Sequence, residues 1–460
     1  MREKQARAWW LALPGRLRPA RYGWALLRRD LVAGLTVATV AVPQAMAYAL
    51  LAGVPPEYGL YTAVVVTALG SLFGSSAHLI NGPTNAVSLV VFGIVAGVGT
   101  GPGDPTRLAL VAWLAVLAGL LQIGLALLKL GGLARHVSEA VVVGFMAGAG
   151  VLEALIQVPA ALRLRPVGAA EGSILYRLWL TCSRGGPADG RSLIVSLFTV
   201  ALIVGLHRLG GHLKVKVPAM LLSLILVSAL VAPLGLAPAG GQSGRLHVES
   251  GLPAPRLPVP PPGWGRQLGS ISGGAVAIAL LGLVDALAVA RSLAARSGQP
   301  LDYNRQCLAE GLAILGGGLF GCRPGSGSLG RSALNYYAGA ATRLSGVIAA
   351  ATVAAALWLF APLAHFVPQP ALAGALVCLA WRIVGPRQLW GCLRSSRSDA
   401  AVALSTAFAV FVRVELAVPV GIGASLLFAA IRLTRRTSPT CVIGAATAAS
   451  GLPPIAPVLK

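Results

Sequence analysis

The chain has 460 residues, 56% of them hydrophobic and 11% charged, with 37 Lys+Arg against 14 Asp+Glu and a formal net charge of +23. A soluble domain carries about 25% charged residues, so this composition, with a mean hydropathy of +0.77, excludes a soluble enzyme. A nucleic-acid binder gathers its basic residues on one folded polar face, whereas here they stand in short segments between apolar runs; that excludes nucleic acid as a partner and points to a lipid bilayer.

Taken in chain order, residues 1–29 form a basic arm in which Arg2, Lys4, Arg7, Arg16, Arg18, Arg21, Arg28 and Arg29 are interleaved with Trp9, Trp10, Tyr22 and Trp24. Basic and aromatic residues ahead of a span suit the cytosolic membrane interface. With no small-residue cleavage site, the arm is expected to lead into a retained first span and not to be a signal peptide. At roughly 20 residues per crossing, the apolar runs predict an all-α integral membrane protein. Fourteen spans or half-spans are expected near 31–52, 58–76, 84–99, 107–128, 137–158, 192–207, 217–236, 271–290, 304–321, 328–340, 344–361, 370–383, 399–412 and 416–431. The clearest, Leu108–Leu128, Val217–Leu236 and Leu344–Ala364, contain no charged residue.

These runs divide into two sets of seven, over 30–236 and 271–432. A Pro/Gly-rich linker over 237–270 joins them, with Pro253, Pro255, Pro258 and Pro260–Pro262, and a short tail over 433–460 follows. With both termini placed in the cytosol, 25 of the 37 Lys/Arg fall on the cytosolic side, as the positive-inside rule requires. The third run of each set is too short to cross; one follows Gly82-Pro83 and the other Gly325-Ser326-Gly327. Interrupted segments at matching positions of two halves are the sign of an inverted repeat with its binding site at the midplane.

Those two interruptions carry the chemistry. In Asn81-Gly82-Pro83-Thr84-Asn85-Ala86-Val87-Ser88 the glycine and proline stop a helix, and proline suits the first turn of the next one. The free N–H groups of that turn then point into the membrane interior, where an anion would satisfy them. The segment Arg323 to Ser332 repeats the pattern, with Ser328 near the helix start and Arg331 one turn in. An arginine within a membrane segment is costly and is a functional candidate by default; its structural alternative is pairing or snorkelling. Asp285 lies alone in the run Gly-Leu-Val-Asp-Ala-Leu and could take up a proton or ligate Na⁺ through hard oxygen. Glu139, Glu153, Glu310 and Glu415 are read as structural. Gln44 and Tyr48, after Pro43 in the first span, serve either a ligand or interhelical hydrogen bonds. The six cysteines and six histidines show no ligand spacing, so no metal or cofactor is expected. No nucleophile–base arrangement is visible, so no enzymatic activity is expected.

At this point the residues resemble the sulfate permease (SulP) family of anion transporters. The likeness rests on Val42-Pro43-Gln44-Ala45-Met46-Ala47-Tyr48-Ala49, Pro56-Glu57-Tyr58-Gly59-Leu60-Tyr61-Thr62 and Gly82 to Ser88. It continues through Gly325 to Ser328, Arg331 to Asn335 and Ala338 to Gly346. The resemblance implies fourteen segments in two inverted repeats, split into core and gate domains, with the anion between the facing third and tenth segments. The implied binding set is Gln44, Tyr48, Thr84, Asn85, Ala86, Ser328, Leu329 and Arg331, with Asp285 as the residue for a coupling Na⁺ or H⁺. It further implies an elevator-like secondary transporter of a small anion (sulfate, bicarbonate, chloride or a dicarboxylate) in a cell membrane, the bacterial inner membrane, and allows a homodimer.

Three features depart from the family pattern. Gly330 stands where relatives carry serine, and Ala77 where they carry a basic or polar residue. Only about 28 residues follow Arg432, where relatives have a cytosolic STAS domain, so that domain is expected to be absent. Two other readings stay open from the residues: a nucleobase–cation symporter of the same fold, and a relative that no longer transports.

Overall fold

The computed structural model describes residues 23–95, 103–129, 139–164, 167, 174–212, 219–231, 251–255, 258–260, 264–364, 367–412, 417 and 420–428. The first half holds α1 (Trp24–Leu51), α2 (Pro56–Phe73), β1 (Asn81–Gly82), α3 (Asn85–Val95), α4 (Pro105–Leu127), α5 (Glu139–Leu162), α6 (Ile174–Arg184), α7 (Gly190–His212) and α8 (Ala219–Val231). The second holds α9 (Trp264–Ser297), α10 (Tyr303–Leu319), β2 (Ser326–Gly327), α11 (Leu329–Tyr337), α12 (Leu344–Ala364), α13 (Gln369–Val384), α14 (Pro386–Ser395) and α15 (Arg397–Val412). Each half thus has two long helices, a two-residue strand and a short helix in sequence, the order expected of an inverted repeat.

Local chemistry sets the helix ends. Pro56 opens α2 with Glu57 in its first turn, where a missing N–H is harmless and a negative charge meets the positive dipole end. Asp104 caps α4 by accepting from the Thr106 N–H at 2.7 Å, and Asp302 caps α10 by accepting from Asn304 and Arg305 at 3.0 Å. The Asp189 carboxylate does the same for α7, accepting from the Arg191 N–H at 3.1 Å and the Ser192 hydroxyl at 2.7 Å.

Helices α1 to α4 pack with α9 to α12, whereas α5, α7 and α8 pack with α13 and α15. In the first group, α4 and α10 approach closely through Gly119 and Gly311. A Cβ on Gly119 would lie 2.6 Å from the Leu315 nitrogen, and one on Gly311 would lie 2.8 Å from the Ile123 nitrogen. The Asp30 carboxylate of α1 is fully buried and accepts the Ala341 and Thr342 N–H groups at 2.7 and 2.9 Å. Both groups meet in one apolar cluster that contains Tyr48, Ala86, Leu114, Phe145, Leu152 and Ile278.

Among the described residues, α1, α4, α5, α7 and most of α9 are long and apolar enough to cross a bilayer. Their outer faces expose Leu35, Leu120, Ile194, Leu197 and Val276, as lipid-facing surfaces do. Helices α6 and α14 lie in stretches read from sequence as loops. They carry the exposed Tyr176, Trp179 and Trp390, with Arg394 over the Trp390 ring at 4.6 Å, a composition suited to the membrane interface. Two expected boundaries shift. Helix α1 starts at Trp24, inside the arm assigned to 1–29, and α9 starts at Trp264, inside the linker assigned to 237–270. No proline follows Pro262 up to the end of α9, so no residue of this stretch lacks the N–H that a helix needs. The remainder of the arm, most of the linker, the 433–460 tail and Glu415 lie outside the described residues, and the fourteenth run is described only at 417 and 420–428.

Candidate functional site

Strands β1 and β2 pair antiparallel, Asn81 opposite Gly327 and Gly82 opposite Ser326, so the two interruptions read from sequence cross one another. The crossing is extended by the Ser328 N–H to the Ile80 carbonyl at 2.9 Å and the Ile80 N–H to the Ser332 hydroxyl at 2.8 Å. Helix α2 holds one side: the Thr67 hydroxyl donates to the Asn81 carbonyl at 2.7 Å. The Thr62 hydroxyl bridges the Arg323 backbone at 3.2 Å. Helix α9 holds the other, where Gly282 lies against Ser326 and Ala286 against Gly327. Gly82 has φ +135, a conformation open only to glycine at low cost.

From this crossing α3 and α11 start, and their first turns define the site. The Thr84 carbonyl accepts the first backbone bond of α3, from Ser88 at 3.1 Å, leaving the N–H groups ahead of it without helical partners. The Thr84 hydroxyl and both side-chain polar atoms of Asn85 are buried with no hydrogen bond. Ser328 caps α11, its hydroxyl 3.5 Å from the Arg331 N–H, too long for a strong bond. Arg331 is 1% exposed, yet Nε, Nη1 and Nη2 all lack a hydrogen-bond partner among the described residues. Its guanidinium lies beside Gly82, where an added Cβ would stand 3.2 Å from Nη2.

The neighbours of Arg331 complete the picture. Arg323 is fully buried; Nη2 donates to the Ser88 hydroxyl, while Nε and Nη1 have no partner. Tyr48 lies within electrostatic range of Arg331, Arg323 and Glu153. Most buried polar groups are hydrogen-bonded, and each one that is not needs an explanation. Here several converge, and all the unpartnered groups of the two arginines are donors. The arrangement suits an acceptor-rich, negatively charged ligand.

Of the residues proposed from sequence, the structure gathers Tyr48, Thr84, Asn85, Ala86, Ser328 and Arg331 around the two helix starts. Tyr48 and Ala86 share one apolar cluster. Leu329 is 54% exposed, so the first turn of α11 has an open side as well as the closed one that holds Arg331. Gln44, four residues before Tyr48, is half-buried and makes no hydrogen bond among the described residues. Asp285 follows Gly282 by three residues and precedes Ala286, beside β2. It is half-buried and likewise has no hydrogen-bond partner among the described residues.

Sequence reasoning passes over Arg323, although the cost of an intramembrane charge that singles out Arg331 applies to it equally. Of the acids read as structural, Glu310 is structural in its contacts: it accepts from the Asn81 and Gln306 side chains at 2.9 Å each. Glu153 differs, being fully buried with neither oxygen partnered.

Comparison with known proteins bears on what this crossing does. Residues 27–406 match the Sulfate permease family. The chain is 30% identical over 417 residues to YvdB of Bacillus subtilis (strain 168), covering 91% of this chain and 75% of that protein. It is 30% identical over 433 residues to low affinity sulfate transporter 3 of Stylosanthes hamata, covering 89% of this chain and 66% of that one, so it spans about two thirds of the plant protein's length. Among solved structures, it is similar to the transmembrane domain of a cyanobacterium bicarbonate transporter, BicA, with a TM-score of 0.75 and 27% identity, over 88% of this chain and 99% of that domain.

Proposed function

Since the chain belongs to the sulfate permease family, we propose that it is a secondary transporter of a small oxyanion held between the starts of α3 and α11. The observation that carries this is Arg331: a fully buried guanidinium with three nitrogens lacking partners, beside two helix N-termini. A buried cation in that state is destabilising unless something supplies acceptors, and a transported anion supplies them. Arg323, Asn85, Thr84 and Ser328 add donors around it, and Tyr48 closes the α1 side. The named activity of the plant relative makes sulfate the first substrate to test. The nucleobase reading needs a carboxylate on α11, where Arg331 stands instead.

The two packing groups support a mechanism. The crossing strands and both short helices belong to the α1–α4 and α9–α12 group, so that group carries the anion as a unit past the other, an elevator-like movement. Coupling to Na⁺ or H⁺ is proposed at Asp285, a carboxylate with no hydrogen-bond partner among the described residues that stands next to Ala286, which packs on Gly327 of β2; carboxylate oxygen is the hard donor that Na⁺ prefers.

The test is uptake of radiolabelled sulfate into proteoliposomes. Arg331→Ala should raise the half-saturating concentration by about 10- to 150-fold, the loss of a hydrogen bond to a charged group at about 1.5–3 kcal/mol. Arg331→Lys should rescue in part, since an ammonium lacks the planar fork. Asn85→Ala and Ser328→Ala should change the ranking of competing anions. Wild-type affinity in Arg331→Ala would overturn the proposal.

A further inference from the structure

Arg323 is the second buried cation at the strand crossing, and the binding set read from sequence does not contain it. It stands three residues before β2, and Arg331 stands four residues after the strand, so one short strand is flanked by two guanidiniums. The Thr62 hydroxyl of α2 fixes the Arg323 backbone, lying 3.2 Å from both its nitrogen and its carbonyl oxygen. The side chain then reaches across to α3, where Nη2 donates to the Ser88 hydroxyl. Ser88 belongs to the start of that helix: its N–H bonds the Thr84 carbonyl at 3.1 Å, and Thr84 and Asn85 carry the buried unpartnered groups there. Arg331 meets the same segment at its other end, with Nη2 beside Gly82. The contacts at Gly82 and Ser88 thus set one guanidinium at each end of the stretch from which α3 starts, within electrostatic range of one another.

A purely structural arginine spends its donors on the protein. Arg323 is fully buried, yet Nε and Nη1 have no hydrogen-bond partner among the described residues, a state that needs an explanation. Among those residues neither guanidinium is hydrogen-bonded to a carboxylate. The Ser88 hydroxyl orients Arg323 but brings no charge to offset its own. Two buried cations of like sign raise each other's cost. A bound monoanion offsets one of them, and a dianion offsets both.

We propose that Arg323 is the residue that selects the charge of the anion: paired with Arg331, it makes the site one for a divalent oxyanion. This rests on the anion-transport reading above and deepens it from a small oxyanion to a dianion. The two helix starts attract any small anion, so they do not discriminate by charge. Selectivity is a difference between affinities, and the second guanidinium supplies it, because its attraction for a dianion is twice that for a monoanion of the same shape at the same distance.

The experiment compares sulfate with perchlorate, two tetrahedral anions of like shape and different charge. With the full-length chain in proteoliposomes, it measures the half-saturating concentration of radiolabelled sulfate and the inhibition constant of perchlorate against it. The hydration of each anion is the same whichever variant it meets, so it cancels from the change in their ratio. In Arg323→Gln, sulfate should weaken about 100-fold and perchlorate about 10-fold, so the preference for sulfate falls about tenfold. Arg323→Lys retains the charge without the planar fork and should weaken both anions while keeping most of the preference. Ser88→Asp sets a carboxylate against Nη2 at a helix start that favours negative charge. It neutralises Arg323 in place, should lower the preference as Arg323→Gln does, and decides the matter if Arg323→Gln does not fold. Equal losses for the two anions in Arg323→Gln, an unchanged preference in Ser88→Asp, or a preference lost as fully in Arg323→Lys as in Arg323→Gln would overturn the role of Arg323. Absence of sulfate uptake by the wild type would overturn the anion reading itself, whereas uptake with equal losses overturns only the selection by charge.

Discussion

Replacing Gly82 by alanine tests the strand crossing and the placement of Arg331 in one step. The residue has φ +135, and holding alanine there costs about 1–3 kcal/mol. The new Cβ would stand 3.1 Å from the Thr67 hydroxyl and 3.2 Å from Nη2 of Arg331. Both contacts are tighter than ordinary packing, and neither neighbour moves freely: Thr67 is bonded to the Asn81 carbonyl at 2.7 Å, and the guanidinium is buried. Arg331 must therefore shift away from β1. Losing part of a charge-assisted bond worth about 1.5–3 kcal/mol should weaken sulfate about tenfold. The thermal midpoint of purified Gly82→Ala protein, taken with and without sulfate, should fall in both conditions and should gain less from the anion than wild type does. An unchanged midpoint would refute the geometry of the crossing. A lowered midpoint with wild-type sulfate affinity would refute the position given to Arg331.

Two further outcomes follow from particular groups. Removing the charge of Arg323 in Arg323→Gln should weaken sulfate more than chloride, because a unit charge attracts a dianion twice as strongly as a monoanion; equal losses in competition assays would place Arg323 outside the site. At the start of α7, the hydrogen bond from the Ser192 hydroxyl chiefly holds the Asp189 carboxyl below the usual carboxylate range. A depressed pKa stabilises the fold above the unfolded value of about 4 and loses that contribution as pH falls through the folded value. Asp189→Ala should therefore lower the thermal midpoint near neutral pH, with the charge-dependent part of the gap to wild type closing below about pH 4.

Much of this was written in local sequence. The length of the apolar runs, the distribution of arginine and lysine, and the Gly82-Pro83 and Gly325-Ser326-Gly327 interruptions are all one-dimensional facts. Backbone chemistry converts them directly into spans and broken helices, because a membrane interior tolerates few other solutions. Arg331 is legible for the same reason, since a charge one turn into such a helix has a cost that demands an account.

What the local sequence could not hold is whom each buried charge meets. Glu310 and Glu153 look alike as isolated acids in apolar surroundings. The fold gives Glu310 a donor from Asn81, 229 residues away, and gives Glu153 none among the described residues. Arg323 finds Ser88 across 235 residues, while the guanidinium of Arg331, eight positions later, finds no hydrogen-bond partner among the described residues. The burial cost of a charge is read from its own segment, but its compensation comes from whichever segments pack against it, and only the tertiary structure assigns those.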